Sequence, residues 1–134
     1  MAAYREGHMQ EHGAWPLINY GDIFWVAADE SIGLISGSPH PHVVIQNDVL
    51  NHSRIATVVV CSLSSNLKRA SEPGVVLLDA GEGGLERQSV VIASQVSSID
   101  KGRLGERIGS LASHRVDQVV AALRFLQASH FRGR

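Results

Sequence analysis

His40-Pro41-His42-Val43-Val44-Ile45-Gln46-Asn47-Asp48 is the stretch on which the reading of the whole chain turns. Two histidines flank a proline and run into three β-branched residues, and Asn47-Asp48 closes the run with a turn-forming pair. An extended strand carries His42, Val44 and Gln46 on one face and Val43, Ile45 and Asn47 on the other. His40 stands at the loop-to-strand junction, where a rigid scaffold can hold an exposed reactive group. The functional centre is expected at this mouth.

Working outward toward the N-terminus, residues 29–39 contain Gly33, Gly37, three serines and a terminal Pro39. They read as a surface loop, expected to be mobile without a ligand because glycine and serine make several conformations cheap. Residues 21–27, Gly-Asp-Ile-Phe-Trp-Val-Ala, form a first strand. Residues 1–19 are polar and lack a helical or strand period. They read as a flexible N-terminal tail, at most docked loosely through Trp15 and Leu17. The domain proper is placed at residues 20–130.

Toward the C-terminus, residues 47–53 turn and residues 54–63 are strongly β-branched. Residues 64–69 leave that strand as a polar, partly basic loop. Residues 73–79 make a shorter strand, residues 80–84 a glycine-rich hairpin turn, and residues 89–96 another apolar strand. Residues 99–111 predict one or two short helical turns. From Ser113, an N-cap residue, Val116, Val119, Val120, Leu123 and Leu126 fall on one helical stripe that runs to about residue 128. Arg115 and Arg124 project away from that stripe. Five strands and one long helix predict a mainly β fold with a C-terminal α-helix, as a small antiparallel barrel or curled sheet with the helix packed on it.

A chain of 134 residues with 44% hydrophobic content supports one domain with a real core. No apolar run reaches the roughly 20 residues of a membrane helix, so no membrane partner is expected. The N-terminus lacks the apolar segment of a secretory signal, and one cysteine excludes an internal disulfide framework. A cytoplasmic protein is expected, with Cys61 a buried small hydrophobe in its strand. Net charge is −1, which excludes a uniformly basic nucleic-acid coat. Its distribution is uneven: residues 101–134 hold seven Lys/Arg against two acids, and residues 1–100 hold five against eleven. The basic part reads either as an attractor for RNA or an acidic partner segment, or as a solvated helix face.

The order of these pieces resembles the MazF/PemK family of toxin endoribonucleases, which share a fold with the CcdB-like toxins. The resemblance covers Gly21 to about Gln127. It rests on Gly21-Asp22-Ile23-Phe24-Trp25-Val26, the Gly/Ser loop leading to Pro and Val-Val-Ile-Gln-Asn-Asp, and a β-branched strand ending in a hydroxyl residue. Further marks are Gly84-Leu85-x-x-x-Ser89-Val90-Val91, Gln95-Val96-x-x-Ile99-Asp100, the basic Lys101-Gly102-Arg103-Leu104 and the terminal amphipathic helix. The resemblance implies an SH3-like barrel and a symmetric homodimer. It implies metal-free cleavage of single-stranded RNA, and a cognate antitoxin whose flexible acidic tail fills the RNA groove. Family members usually read Arg-Pro where this chain reads His40-Pro41, and that arginine is their principal catalytic group. Their strand-end threonine or serine matches Ser64. Many place an acidic residue directly before the glutamine matching Gln95, where this chain has Ser94.

Metal-free RNA cleavage needs a base for the 2′-hydroxyl, an acid for the departing 5′-oxygen and a donor to the phosphate. Histidine, with an ordinary pKa near 6.5, suits proton transfer; arginine suits bidentate phosphate binding. His40 and Ser64 are the candidate catalytic pair, with Ser64 donating to a phosphate oxygen. The other side of the ledger is a loop histidine left in a site that has lost its arginine. His42, Arg54, Lys68, Arg69 and Gln95 are candidate RNA or phosphate contacts. No cofactor is expected. A zinc site from His40, His42 and His52 with Asp48 is the weaker chemical alternative, and His8 with His12 is weaker still. Two other function classes stay open: a catalytically weakened binding module for RNA or an antitoxin-like peptide, and, by fold analogy alone, a gyrase-poisoning toxin.

Overall fold

A computed structural model describes residues 17–27 and 38–132, with the side chains of 129–132 left aside. Most of the loop expected at 29–39, all but residues 17–19 of the expected tail, and His8, His12 and Trp15 therefore lie outside the described residues. The elements in order are β1 (Asp22–Val26), β2 (His40–Val44), α1 (Asp48–Asn51), β3 (Thr57–Ser64), β4 (Val75–Leu78), β5 (Ser89–Asp100), β6 (Leu104–Ser110) and α2 (Ser113–Arg132). Single 3-10 turns occupy Leu67–Arg69, Glu82–Gly84 and Lys101–Arg103. All pairings are antiparallel, in the order β4-β5-β3-β2-β1-β6. The ladder does not close. The expected small barrel is a curled six-stranded sheet with β4 and β6 as its edges.

Residues 99–111 depart most from expectation. Only Lys101–Arg103 turns helically, and Leu104–Ser110 is an edge strand paired with β1. Leu104 and Ile108 are four apart, and positions four apart share a face in a strand as well as a helix. Gly105 and Gly109 favour the strand, since each would weaken a helix interior. Two smaller differences follow. Residues 47–53 contain a one-turn helix, started where the Asn47 side chain accepts the Val49 N–H at 2.8 Å. Strand β5 runs on to Asp100 rather than stopping at Val96.

The core is two clusters on opposite faces of the curl. One gathers Ile23, Val43, Cys61, Leu63, Leu78, Leu85 and Val91 under Val116 and Val119 of α2. The other joins Phe24, Val44, Val58, Val60, Ile99 and Leu104, sealed by Ile18. Among the described tail residues, Ile18 is buried and Leu17 is exposed. Consecutive residues Val43 and Val44 serve different clusters, which explains a run of β-branched residues where a one-faced strand would alternate. Cys61 is buried as expected, and burial pushes its thiol up to about 11.

Three basic residues of the C-terminal part are engaged by other parts of the fold. The Lys101 side chain is buried, and its ammonium donates to the carbonyls of Asn51 and Ser53 at 3.1 and 3.2 Å. Desolvation lowers its pKa, and the two carbonyls partly offset that cost. Arg103 donates to the Ala27 carbonyl at 2.8 Å. Arg115, read as projecting from the stripe, grips Glu82 through two bonds of 2.9 and 2.8 Å. No helix among the described residues is long and apolar enough to cross a membrane.

Candidate RNA-cleavage groove

A groove of about 990 Å³ opens at one end of the sheet. His40, Pro41, Ser64, Ser65, Trp25 and Arg107 line it, together with the segment Leu85-Glu86-Arg87 and Glu106. Strand register puts its two hydroxyl and imidazole groups there. β2 and β3 pair His42 with Ser62, Val43 with Cys61 and Val44 with Val60. The paired residues end at His42 and Ser62; His40 and Ser64, two residues beyond on each strand, both line the groove. On the other side β1 pairs Val26 with His40 and Trp25 with Pro41. The half-buried indole of Trp25 lines the same groove as the histidine.

The Ser64 hydroxyl is already oriented. Its oxygen accepts the Asn66 backbone N–H at 3.0 Å, so its own proton remains to be given to an incoming oxygen. His42 is a different kind of residue from His40. Two residues further along the strand, it does not line the groove, and its Nδ1 lies 2.9 Å from the His40 carbonyl. A carbonyl only accepts, so Nδ1 carries the proton. Desolvation, partly countered by that bond, lowers its pKa and favours the neutral ring. His42 therefore pins the backbone under His40 instead of acting as its proton partner.

The remaining sequence candidates stay outside the groove. Arg54 precedes the start of β3, about 23 Å from the Ser64 end by strand rise. Lys68 and Arg69 sit on the turn after Ser64 but do not line the groove, and Arg69 is tied to Glu72 at 3.1 Å. Gln95 is exposed where β5 loses register: Cys61 pairs with Val96 and Ser62 with Ile92, leaving residues 93–95 as an interruption. The zinc alternative is not assembled. His52 Nε2 bonds the Asn19 side-chain oxygen at 2.8 Å and lies 3.9 Å from Asp48, beyond the opposite end of β2.

Sequence reading missed Trp25, Glu86, Arg87, Glu106 and Arg107. Glu86 and Arg87 fill the variable places of Gly84-Leu85-x-x-x-Ser89, just before an apolar strand, the same signal that singled out His40. Glu106 and Arg107 were hidden by the helical reading of residues 99–111. The segment bearing Glu86 and Arg87 is seated by backbone-to-backbone contact. Gly84 has φ 80°, and a Cβ there would lie 2.7 Å from the Ile108 carbonyl oxygen. A Cβ on Gly109 would collide with the Gly83 carbonyl, its carbon 2.8 Å away. Arg107 reaches over to the start of β1 to bond Asp22 at 3.3 Å; Asp22 is buried and its second oxygen accepts the Asn19 N–H at 3.0 Å.

The PemK-like, MazF-like toxin family of type II toxin-antitoxin systems matches residues 19–126, and the chain belongs to it. Endoribonuclease EndoA of Bacillus subtilis is 32% identical over 108 residues, 81% of this chain and 92% of that protein. Endoribonuclease MazF6 of Mycobacterium tuberculosis is also 32% identical over 108 residues, 81% of this chain and 95% of its own length. In the MazE-MazF crystal structure from Deinococcus radiodurans, a chain superposes with TM-score 0.69 at 22% identity, covering 84% of this chain and 97% of that one.

Proposed function

We propose that this chain is the endoribonuclease toxin of a type II pair, cleaving single-stranded RNA without a metal in the groove between His40 and Ser64. The observation that carries this is the meeting of those two residues in one groove, at the start of β2 and the end of β3, with the Ser64 proton free to donate. In this reading the RNA 2′-oxygen attacks phosphorus, the P–O2′ bond forms and the P–O5′ bond breaks. His40 takes the 2′ proton or supplies the proton that the departing 5′-oxygen needs, and Ser64 donates to a phosphate oxygen. The relatives named endoribonucleases support the activity. A mycobacterial endoribonuclease solved with its cognate antitoxin supports a like partner here, with an acidic flexible tail entering the same groove. A homodimer, a cytoplasmic setting and a toxin domain spanning residues 20–130 complete the reading.

The test is cleavage of a mixed-sequence single-stranded RNA in chelator by the wild type, His40→Ala, Ser64→Ala and His40→Arg. Wild-type cleavage is expected, with His40→Ala lowering the rate about 10²–10⁴-fold, the range of a lost proton-transfer group, and more than Ser64→Ala does. His40→Arg is expected to retain activity. Cleavage unaffected by His40→Ala refutes the role of His40. No cleavage by the wild type, with tight RNA or antitoxin-peptide binding, moves the protein to the class of binding modules.

A further inference from the structure

Phosphoryl chemistry in this groove needs a cation on the phosphate, and neither His40 nor Ser64 is a guanidinium. Lys68, on the turn after Ser64, and Arg124, on α2, do not line the groove. Arg54 lies at the far end of β3, Arg69 is held by Glu72, Lys101 is buried, and Arg103 and Arg115 are bound to Ala27 and Glu82. Two arginines line the groove, and they differ. Arg107 is anchored to Asp22, and withdrawing it would leave a buried carboxylate with only one backbone donor. Arg87 is exposed, and among the described residues its guanidinium has no ion pair and no hydrogen-bond acceptor.

Its backbone, by contrast, is fixed. The Ser89 hydroxyl, on a buried side chain, donates to the Arg87 carbonyl at 2.9 Å. Ser89 leads directly into Val90, which pairs with Ser64. The preceding turn is locked against β6 at Gly84 and Gly109. A rigid mount with a free guanidinium is what phosphate recognition requires: little ordering cost in the backbone, and a planar fork that matches two phosphate oxygens.

Resting on the cleavage reading above, the geometry points to Arg87 as the group that binds the scissile phosphate, supplying from the β4–β5 connection the guanidinium that position 40 lacks. It donates to the non-bridging oxygens while the P–O2′ bond forms and the P–O5′ bond breaks, and it moves no proton.

Two measurements on the full chain test this. In the first, cleavage of mixed-sequence RNA in chelator is followed for the wild type, Arg87→Ala, Arg87→Lys and Arg124→Ala, the last removing an exposed cation on α2. Arg87→Ala is expected to lower kcat about 10²–10³-fold, the loss typical of one transition-state donor, with KM changed less than kcat. Arg87→Lys recovers part of the loss, and added methylguanidinium restores part of Arg87→Ala but none of His40→Ala. Arg124→Ala matches the wild type. In the second, binding of an uncleavable 2′-O-methyl oligonucleotide is measured against salt. Losing one phosphate contact on a single strand reduces the slope of log K against log salt by about 0.7.

Cleavage by Arg87→Ala within threefold of the wild type overturns the assignment. So does an unchanged salt slope. If the wild type binds the oligonucleotide but cleaves nothing, the cleavage reading falls by itself. A reduced slope in Arg87→Ala then still fixes Arg87 as a phosphate contact of a binding module. A wild type that neither binds nor cleaves removes both.

Discussion

Replacing Gly109 by alanine adds one methyl group where β6 meets the Glu82–Gly84 turn, and backbone atoms surround the site. The new Cβ would collide with the Gly83 carbonyl and lie 3.2 Å from the Gly84 nitrogen. No flexible side chain can yield there, so the turn itself must lift from the strand. Overpacking of this kind costs about 1–3 kcal/mol. Gly84→Ala adds a second burden, since φ 80° is left-handed territory and its Cβ faces the Ile108 carbonyl at 2.7 Å. The handedness cost of about 1–2 kcal/mol brings that variant to about 2–5 kcal/mol. The two substitutions press on one seam, so the double variant should lose less than the sum of the singles, with an interaction of about 0.5 kcal/mol or more. Urea unfolding at fixed protomer concentration reads all three. Because Leu85-Glu86-Arg87 follows the seam into the groove, RNA cleavage by Gly109→Ala should fall even at temperatures where the variant is fully folded. A Gly109→Ala protein within 0.5 kcal/mol of the wild type and equally active would refute the claim that this seam positions the groove.

Glu82 gives a pH signature. Arg115 first, and then the Asp79 N–H, hold its carboxyl below the usual carboxylate range. The folded state thus binds that proton more weakly than the unfolded chain, so the stabilisation is complete above the unfolded carboxylate pKa and fades as pH falls through the lower folded value. Glu82→Gln should therefore cost about 1 kcal/mol at pH 7, with a gap that narrows steadily below about pH 4; a gap independent of pH in urea titrations would contradict this. Trp25 gives a substrate signature. If a base stacks on its indole, Trp25→Ala should raise KM about tenfold with kcat changed less than threefold, and Trp25→Phe should stay near the wild type, since stacking is worth about 1–3 kcal/mol per base. Steady-state kinetics on a short RNA decides it.

Much of the architecture was legible because strong local signals agreed with the final packing. The apolar runs read as strands at β1, β3 and β5 became the three elements richest in buried apolar residues, and the stripe on α2 buries Val116 and Val119. Residues 99–111 were misread because Leu104 and Ile108 satisfy two periods at once, and strand pairing, a long-range fact, decided between them. The groove was half legible. His40 and Ser64 could be named from a strand start and a strand end, but their meeting in one groove depends on strand pairing, which one strand by itself does not carry. Arg87 and Trp25 were missed for the same reason: only pairing and a distant glycine seam bring them to the groove. Arg54 failed in the opposite sense, since nearness in sequence to β3 put it at the wrong end of that strand.

Strands β2 and β3 have no solvent face along much of their length, because Val43 and Val44, like Val60 and Cys61, bury into opposite clusters. Substitution there has nowhere to be lenient. His40 lies just before this stretch and Ser64 just after it, half-buried or exposed, their place set by the pairing of buried residues between them. The molecule thereby separates heritable rigidity from heritable chemistry: a new side chain at position 40 inherits its aim from the valines, and leaves folding untouched while the reaction is revised.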